Sequence, residues 1–357
     1  MRSEARKFIY LIEHWKPPGT QGSTGGTLYN YMLVSALSKI GRVEIMAVNV
    51  TDGALPANVT LTHIKEPKGK FKGHRAFYWR GFLLSALPEK TEGVTLIATT
   101  STNAVIPDAR RKGFTVFSIV QAYEDYGIKK PGSGFLEKIR SLRKLIFTGQ
   151  IFKRGLMSAD YLVANSNFIA SSLGSDLGVT ARPFLLYPPM TLEPNFDYQF
   201  TEEASRSVGF VNRAGKNLAF ILLLAKATPQ KTFLIYGHEI PNTVELPENV
   251  VFVGWASDRI KMFRSARIWL MPSLWCEPFG LVAVEAMSQG CQVAVSDKGG
   301  LPEAVGEYGK IFSCFDVSMW SDWLLGDANK TPDIGLDSHL KKISIEQFEK
   351  TVADIFT

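Results

Sequence analysis

Two glutamates eight positions apart, Glu277 and Glu285, lie in the stretch Met271 to Gly309, MPSLWCEPFGLVAVEAMSQGCQVAVSDKGGLPEAVGEYG. The apolar run Ile268–Met271 reads as a strand entering a core, and Pro272 and Ser273 break it. Glu277-Pro278-Phe279-Gly280 reads as a turn. Leu281, Val284 and Met287 then recur at helical spacing up to Gly290, placed as a C-terminal cap. Residues 292–295 read as the next strand. Gly299-Gly300 opens a second helix, with Pro302 in its first turn. Two helix N-termini thus meet one end of a parallel sheet, where unpaired N–H groups and the helix dipole favour an anion. Gly280 and Gly300 carry no side chain to block a phosphate. The carboxylates accept hydrogen bonds from hydroxyls, and eight helical residues span roughly 12 Å. A ligand with phosphates at its centre and polyhydroxylated rings at both ends satisfies both features; a nucleotide-diphospho-sugar is one. The plain alternative is a helix with two solvated glutamates.

Two cations accompany a second helix start. Residues 207–212 read as a strand, Arg213-Ala214-Gly215-Lys216-Asn217 as a glycine turn, and residues 218–227 as a helix. No Asp-x-Asp pair occurs anywhere in the chain to hold a divalent ion on a diphosphate. Positive charge for such a group would come from Arg213, Lys216 and helix N-termini, so metal-independent chemistry is expected.

Glu277-x7-Glu285 within EPFGLVAVEAMSQG, followed by the GG-x-x-E of Gly299 to Glu303, resembles the donor-site signature of retaining GT-B glycosyltransferases of the family 4 type. The resemblance is close over residues 205–310 and loose over 1–190. It implies an α/β fold of two Rossmann-like domains facing across a cleft. It implies a nucleotide-diphospho-sugar donor, a saccharide or lipid-linked glycan acceptor, no cofactor and no metal. The residues it marks as catalytic are Glu277, Arg213 and Lys216: Glu277 on the donor sugar's hydroxyls, the two cations on the diphosphate. The donor-binding set it implies is Gly25, Gly26, Phe279, Gly280, Leu281 and Glu285, with Glu285 on the ribose. The spacing of Arg213 and Lys216 is tighter than in many members. Many members also have a histidine near the cleft where this chain has Gln121. Gln121, Tyr123 and Glu124, after a strand over 115–120, are instead candidates for acceptor contact, with structural roles as the alternative.

The elements that must hold these residues alternate strand and helix. A strand over 8–12, a loop rich in glycine, proline and threonine, a helix over 27–40 and a strand over 43–50 form a βαβ unit. Gly25-Gly26 stands at its helix start, where a plain tight turn is the competing reading. The loop lacks G-x-G-x-x-G and no acid ends the second strand, which excludes a nicotinamide-dinucleotide site. Further strands are expected over 94–99, 115–120, 161–164, 185–187, 233–236 and 250–253. Pro188, Pro189 and Pro194 mark a linker. The expected domains are 1–190, carrying the acceptor site, and 191–337, carrying the donor site. Residues 338–357 are expected to form a terminal helix; the resemblance implies that it returns to the first domain.

Composition bounds the class. With 357 residues, 45% hydrophobic and 21% charged, the chain is long enough for two globular domains. No apolar run approaches a membrane span, and the N-terminal apolar run is too short for a signal peptide. Cys276, Cys291 and Cys314 lack metal-ligand spacing, so a reduced cytoplasmic protein is expected, with Cys276 in a packing role. The net charge of +6 gathers in two segments, Lys65 to Arg80 and Ile128 to Met157, where cations alternate with aromatic or aliphatic residues. Both fit an anionic membrane surface, peripheral at the inner face, as well as ordinary solvated or packed faces. No recognised nucleic-acid motif accompanies them. The rival functions are a nucleotide-sugar epimerase of the same fold and a non-catalytic nucleotide-sugar binder. The expected setting is cell-surface glycan assembly.

Overall fold

The computed structural model describes residues 6–20, 24–65, 75–89, 92–123, 126, 150–240, 243–326 and 335–357. Its contacts divide the chain into two compact units: 1–129 with 133–189 and 345–357, and 130–132 with 190–344.

Unit 1 is built on a seven-stranded parallel sheet. Its strands are β1 (Lys7–Trp15), β2 (Arg42–Val50), β3 (Val59–His63), β4 (Val94–Thr99), β5 (Thr115–Val120), β6 (Tyr161–Ala164) and β7 (Phe184–Leu185). Their order is β3-β2-β1-β4-β5-β6-β7. A strand covered on both faces must be apolar at successive positions, and β1 shows this. Phe8, Tyr10 and Ile12 pack on one side against the helix Gly25–Ile40 and the C-terminal helix Ile345–Phe356. Ile9 and Leu11 pack on the other with Trp79, Leu83, Val105 and Ile106. β3, absent from the sequence reading, is an edge strand of alternating threonines with no buried position, which gives a weak apolar signal.

Unit 2 has a six-stranded parallel sheet: β8 (Ser207–Asn212), β9 (Thr232–Gly237), β10 (Val250–Gly254), β11 (Ile268–Met271), β12 (Gln292–Ser296) and β13 (Lys310–Phe312). The order is β10-β9-β8-β11-β12-β13. One face is filled by Phe220, Ile221 and Leu224 of the helix Leu218–Ala227 and by Trp320 and Leu324 of the helix Val317–Leu325. On this sheet Trp269 stacks on Tyr236 and donates its indole N–H to the carbonyls of Phe263 and Ala266 at 3.1 and 3.0 Å. Gly209 is the β8 residue that leaves room for it: a Cβ there would lie 2.5 Å from the indole.

The chain returns to unit 1 later than expected. The tail is two helices, Leu336–Lys341 and Ile345–Phe356, not one. The first stays in unit 2 because His339 hydrogen-bonds the Ala304 carbonyl at 2.8 Å and packs on Gly306 and Tyr308. The second joins unit 1 through Phe348 against Tyr29 and Phe356 against Phe8 and Phe117. Of the basic segments, residues 66–74 and 127–149 lie outside the described residues. In the described end of the second, Gln150–Met157, Gly155 and Leu156 are buried and Met157 is exposed; a Cβ on Gly155 would meet the Asn103 carbonyl at 1.9 Å. Among the described residues no helix is long and apolar enough to cross a membrane.

Candidate active site

In an open parallel sheet, ligands bind beyond the carboxyl ends of the strands where the strand order reverses. In unit 2 that point lies between β8 and β11. The loops leaving these two strands carry Arg213 and Lys216, and Ser273 and Glu277. They are tied together by backbone. The Gly215 carbonyl accepts from the N–H groups of Leu274 and Trp275 at 2.9 and 3.3 Å. Gly215 (φ +83°) and Asn217 (φ 67°) are both left-handed, which turns Lys216 inward.

Lys216 and Glu277 therefore meet. The ammonium forms an ion pair with Glu277 Oε1, and the two side chains are only 14% and 8% exposed. The hydroxyl of Ser273, itself fully buried, donates to the same oxygen. The Ser296 hydroxyl in turn donates to the Ser273 carbonyl at 2.8 Å, fixing the loop. The ion pair and the Ser273 hydrogen bond both fall on Oε1.

The diglycine has a role the sequence reading did not assign. Gly299 pairs with Glu277 in a parallel bridge, and the Gly300 N–H donates to the Glu277 carbonyl at 2.6 Å. A Cβ on Gly299 (φ +67°) would sit 2.2 Å from that carbonyl oxygen, and one on Gly300 would sit 2.7 Å from Phe279 Cα. Gly280 (φ +128°) likewise abuts Leu301 at 2.9 Å. These glycines let protein loops approach one another, a packing reason for glycine here that stands beside the expected one of admitting a phosphate. Gly299→Ala should therefore destabilise unit 2 by at least about 2 kcal/mol, since a strained φ alone costs 1–3. The thermal midpoint should fall by about 4–8 °C; an unchanged midpoint would contradict the packing role.

The helix Leu281–Ser288 starts at Gly280. The N–H groups of Ala283 and Val284 return to the Gly280 carbonyl, so those of Leu281 and Val282 face the helix mouth. Phe279 is buried at 4% exposure, so any ligand contact it makes is through its backbone. Glu285 is fully buried on this helix. Arg259, the first residue of the helix Arg259–Arg264, reaches its Oε2 as an ion pair. Glu285 Oε1 has no hydrogen-bond partner. Burial lowers the Arg259 pKa from its ordinary value.

Arg213 is placed differently from Lys216. Its guanidinium lies 5.5 Å from the centre of the Trp255 ring, which also meets His238 edge-on at 5.2 Å. Trp255 is 64% exposed. Arg213, His238 and Trp255 follow β8, β9 and β10, so they share the carboxyl end of the sheet with Glu277. Stacking holds Arg213 without consuming its N–H donors.

In unit 1, Gly26 and Gln121 come together. A Cβ on Gly26 would lie 3.2 Å from Gln121 Oε1, while Gly25 has open space. The Gln121 amide donates to Asn30 Oδ1, which also accepts from the Tyr10 hydroxyl at 2.7 Å. Tyr123 is buried edge-on against Phe168, and Glu124 lies outside the described residues. Arg259, Ser273, His238 and Trp255 were not singled out from sequence. The one signal for Arg259 was Asp258, whose carboxylate caps the helix by accepting from the Lys261 N–H at 3.0 Å.

The family model described as glycosyl transferases group 1 matches residues 209–321. An uncharacterized 41.2 kDa protein in the cps region of Klebsiella pneumoniae is 34% identical over 145 residues, 36% of each chain. A D-inositol 3-phosphate glycosyltransferase of Streptomyces scabiei is 42% identical over 74 residues, 20% of this chain and 16% of the relative. The matched stretches thus span about a third or less of these curated relatives. HepE of Anabaena, solved with UDP and glucose, superimposes with a TM-score of 0.70 at 17% identity, covering 98% of this chain and 99% of that one. The chain thus has the two-domain α/β fold of these GT-B structures, and its residues 209–321 match the glycosyl transferases group 1 model.

Proposed function

We propose that the chain is a retaining, metal-independent glycosyltransferase that takes a sugar from a nucleotide-diphospho-sugar and places it on a saccharide or lipid-linked acceptor. The observation that carries this reading is the pair of acids in unit 2. Each is paired with a cation through one oxygen, and the fully buried Glu285 carboxylate has no hydrogen-bond partner on either oxygen. Hydroxyls of a sugar and of a ribose are the donors that such oxygens take. Arg213, Lys216 and the N–H groups at Leu281 and Val282 supply the complement to a diphosphate.

The step is the breaking of the bond between the anomeric carbon and the diphosphate oxygen. The acceptor hydroxyl oxygen bonds to that carbon on the same face, and its proton passes to the departing phosphate. Negative charge grows on the diphosphate as the bond lengthens, so preorganised cations stabilise the transition state more than the ground state. The HepE complex favours UDP as the first nucleotide to try, and the relative named for a cps region favours cell-surface glycan assembly. An anionic membrane surface remains part of the proposal through the basic segments.

The test is thermal shift of the full chain against UDP, GDP, ADP and their sugar conjugates in the presence of EDTA, followed by product analysis. A ligand at a hundred times its Kd raises stability by about 2.7 kcal/mol. Stabilisation by one nucleotide, with anomeric configuration kept in the product, supports the reading. Conversion of the donor alone would instead indicate an epimerase. Binding without turnover over a broad acceptor panel would indicate a binding protein. Stabilisation that EDTA abolishes would overturn metal independence.

A further inference from the structure

Glu285 poses a problem that the site as described does not solve. Its carboxylate is fully buried, and a buried charge is tolerated only when paired. The partner comes from a different element. Arg259 leads the short helix between β10 and β11, and its side chain, 36% exposed, reaches inward to Glu285 Oε2. Arg259 has no second acidic partner among the described residues: neighbouring Asp258 is committed to capping the helix and pairs with Lys261. The cation therefore serves Glu285 alone.

The grip is one-sided. The guanidinium pairs with Oε2 alone, while both oxygens are buried and neither has a hydrogen-bond partner. Buried polar atoms without partners are rare, and each calls for an explanation, of which a bound ligand group is one. A carboxylate oxygen held in a fixed orientation accepts from hydroxyls; an anion is repelled from it. At Glu277, too, the cation sits on one oxygen: Lys216 and the Ser273 hydroxyl both meet Oε1.

We infer that Arg259 is a positioning residue of the donor site: it fixes the Glu285 carboxylate so that Oε1 is presented to the vicinal hydroxyls of the donor's ribose, and it thereby sets a preference for ribonucleotides. The inference rests on the nucleotide-diphospho-sugar reading above and deepens it. Arg259 touches Glu285, not the ligand, so its loss should be felt only by ligands that carry those hydroxyls. A guanidinium that bound the diphosphate directly would be felt by all nucleotides equally.

Isothermal titration of the full chain distinguishes these, with UDP, GDP and their 2′,3′-dideoxy counterparts as probes. Wild type should bind the ribonucleotide at least about tenfold more tightly, because a site built to bond a hydroxyl strongly disfavours the analogue lacking it. Arg259→Met should bring that ratio below about threefold by weakening the ribonucleotide, leaving dideoxynucleotide affinity within about twofold of wild type. Arg259→Lys should fall between. Arg259→Met leaves a buried acid unpaired, so Arg259→Met with Glu285→Gln serves as the folding control. It removes both charges, should recover the thermal midpoint that the single variant loses, and should show no discrimination. Equal weakening of both nucleotides by Arg259→Met, or an unchanged ratio, overturns the inference. A wild type that binds both nucleotides equally overturns it while the donor reading stands; a wild type that binds none of the four defeats the donor reading itself.

Discussion

Replacing Glu277 by Gln should lower kcat/KM for transfer by about 10²–10³, or roughly 2.7–4 kcal/mol, the usual cost of removing one preorganised group from a charge-developing transition state. The substitution is nearly isosteric. The retained carbonyl can still accept from Ser273, so the loop pinned by Ser296 and Gly300 should hold. The change falls on the outward oxygen, which becomes an N–H₂ donor and can no longer accept from a sugar hydroxyl. Lys216 also loses its ion pair and is freed for phosphate. Nucleoside diphosphate affinity should then stay level or rise while transfer collapses. That divergence separates a catalytic role from a structural one. Initial rates with the donor identified by thermal shift, and titration with the free diphosphate, read both quantities. Wild-type kcat/KM in this variant would refute the assignment.

Replacing Lys216 by Met should lower stability, which Glu277→Gln leaves nearly level. It leaves the 8%-exposed Glu277 carboxylate without its cation. Removing one partner of a buried pair typically costs 3–5 kcal/mol, and the partial exposure of Lys216 places the expected loss near the lower end, about 3 kcal/mol. The thermal midpoint should fall by about 6–12 °C. Diphosphate affinity should fall as well, since one charge-assisted bond is worth about 1.5–3 kcal/mol. Combining Lys216→Met with Glu277→Gln removes the stranded charge. The double variant should recover most of the midpoint and none of the transfer. The two residues touch, so their effects should be strongly non-additive. Additive midpoints would mean that the ion pair is not a feature of the folded protein in solution.

Much of the alternating architecture is written locally. Residues 94–99, 115–120, 161–164 and 207–212 form strands where the sequence places them, because parallel strands covered on both faces need continuous apolar runs and those runs are bounded by turn residues. The helix Leu218–Ala227 and the Gly290 cap, at φ +78°, are equally local. β3 and the split tail were not legible. An edge strand buries too little to leave a pattern, and the break at 342–344 depends on what His339 and Phe348 each pack against.

The sequence by itself determined the chemical inventory: two acids eight positions apart, two cations beside a glycine turn, and glycines where helices begin. Those are properties of residue type and spacing within one strand–loop–helix unit. Only the tertiary structure decided how they are partnered. Lys216 falls to Glu277, Arg213 to Trp255, and Arg259 to Glu285, across gaps in sequence of 61, 42 and 26 residues. Sheet order sets those partners. Parallel strands bring their carboxyl-end loops side by side irrespective of separation along the chain, and a buried charge must find its counterion among whatever that assembly delivers.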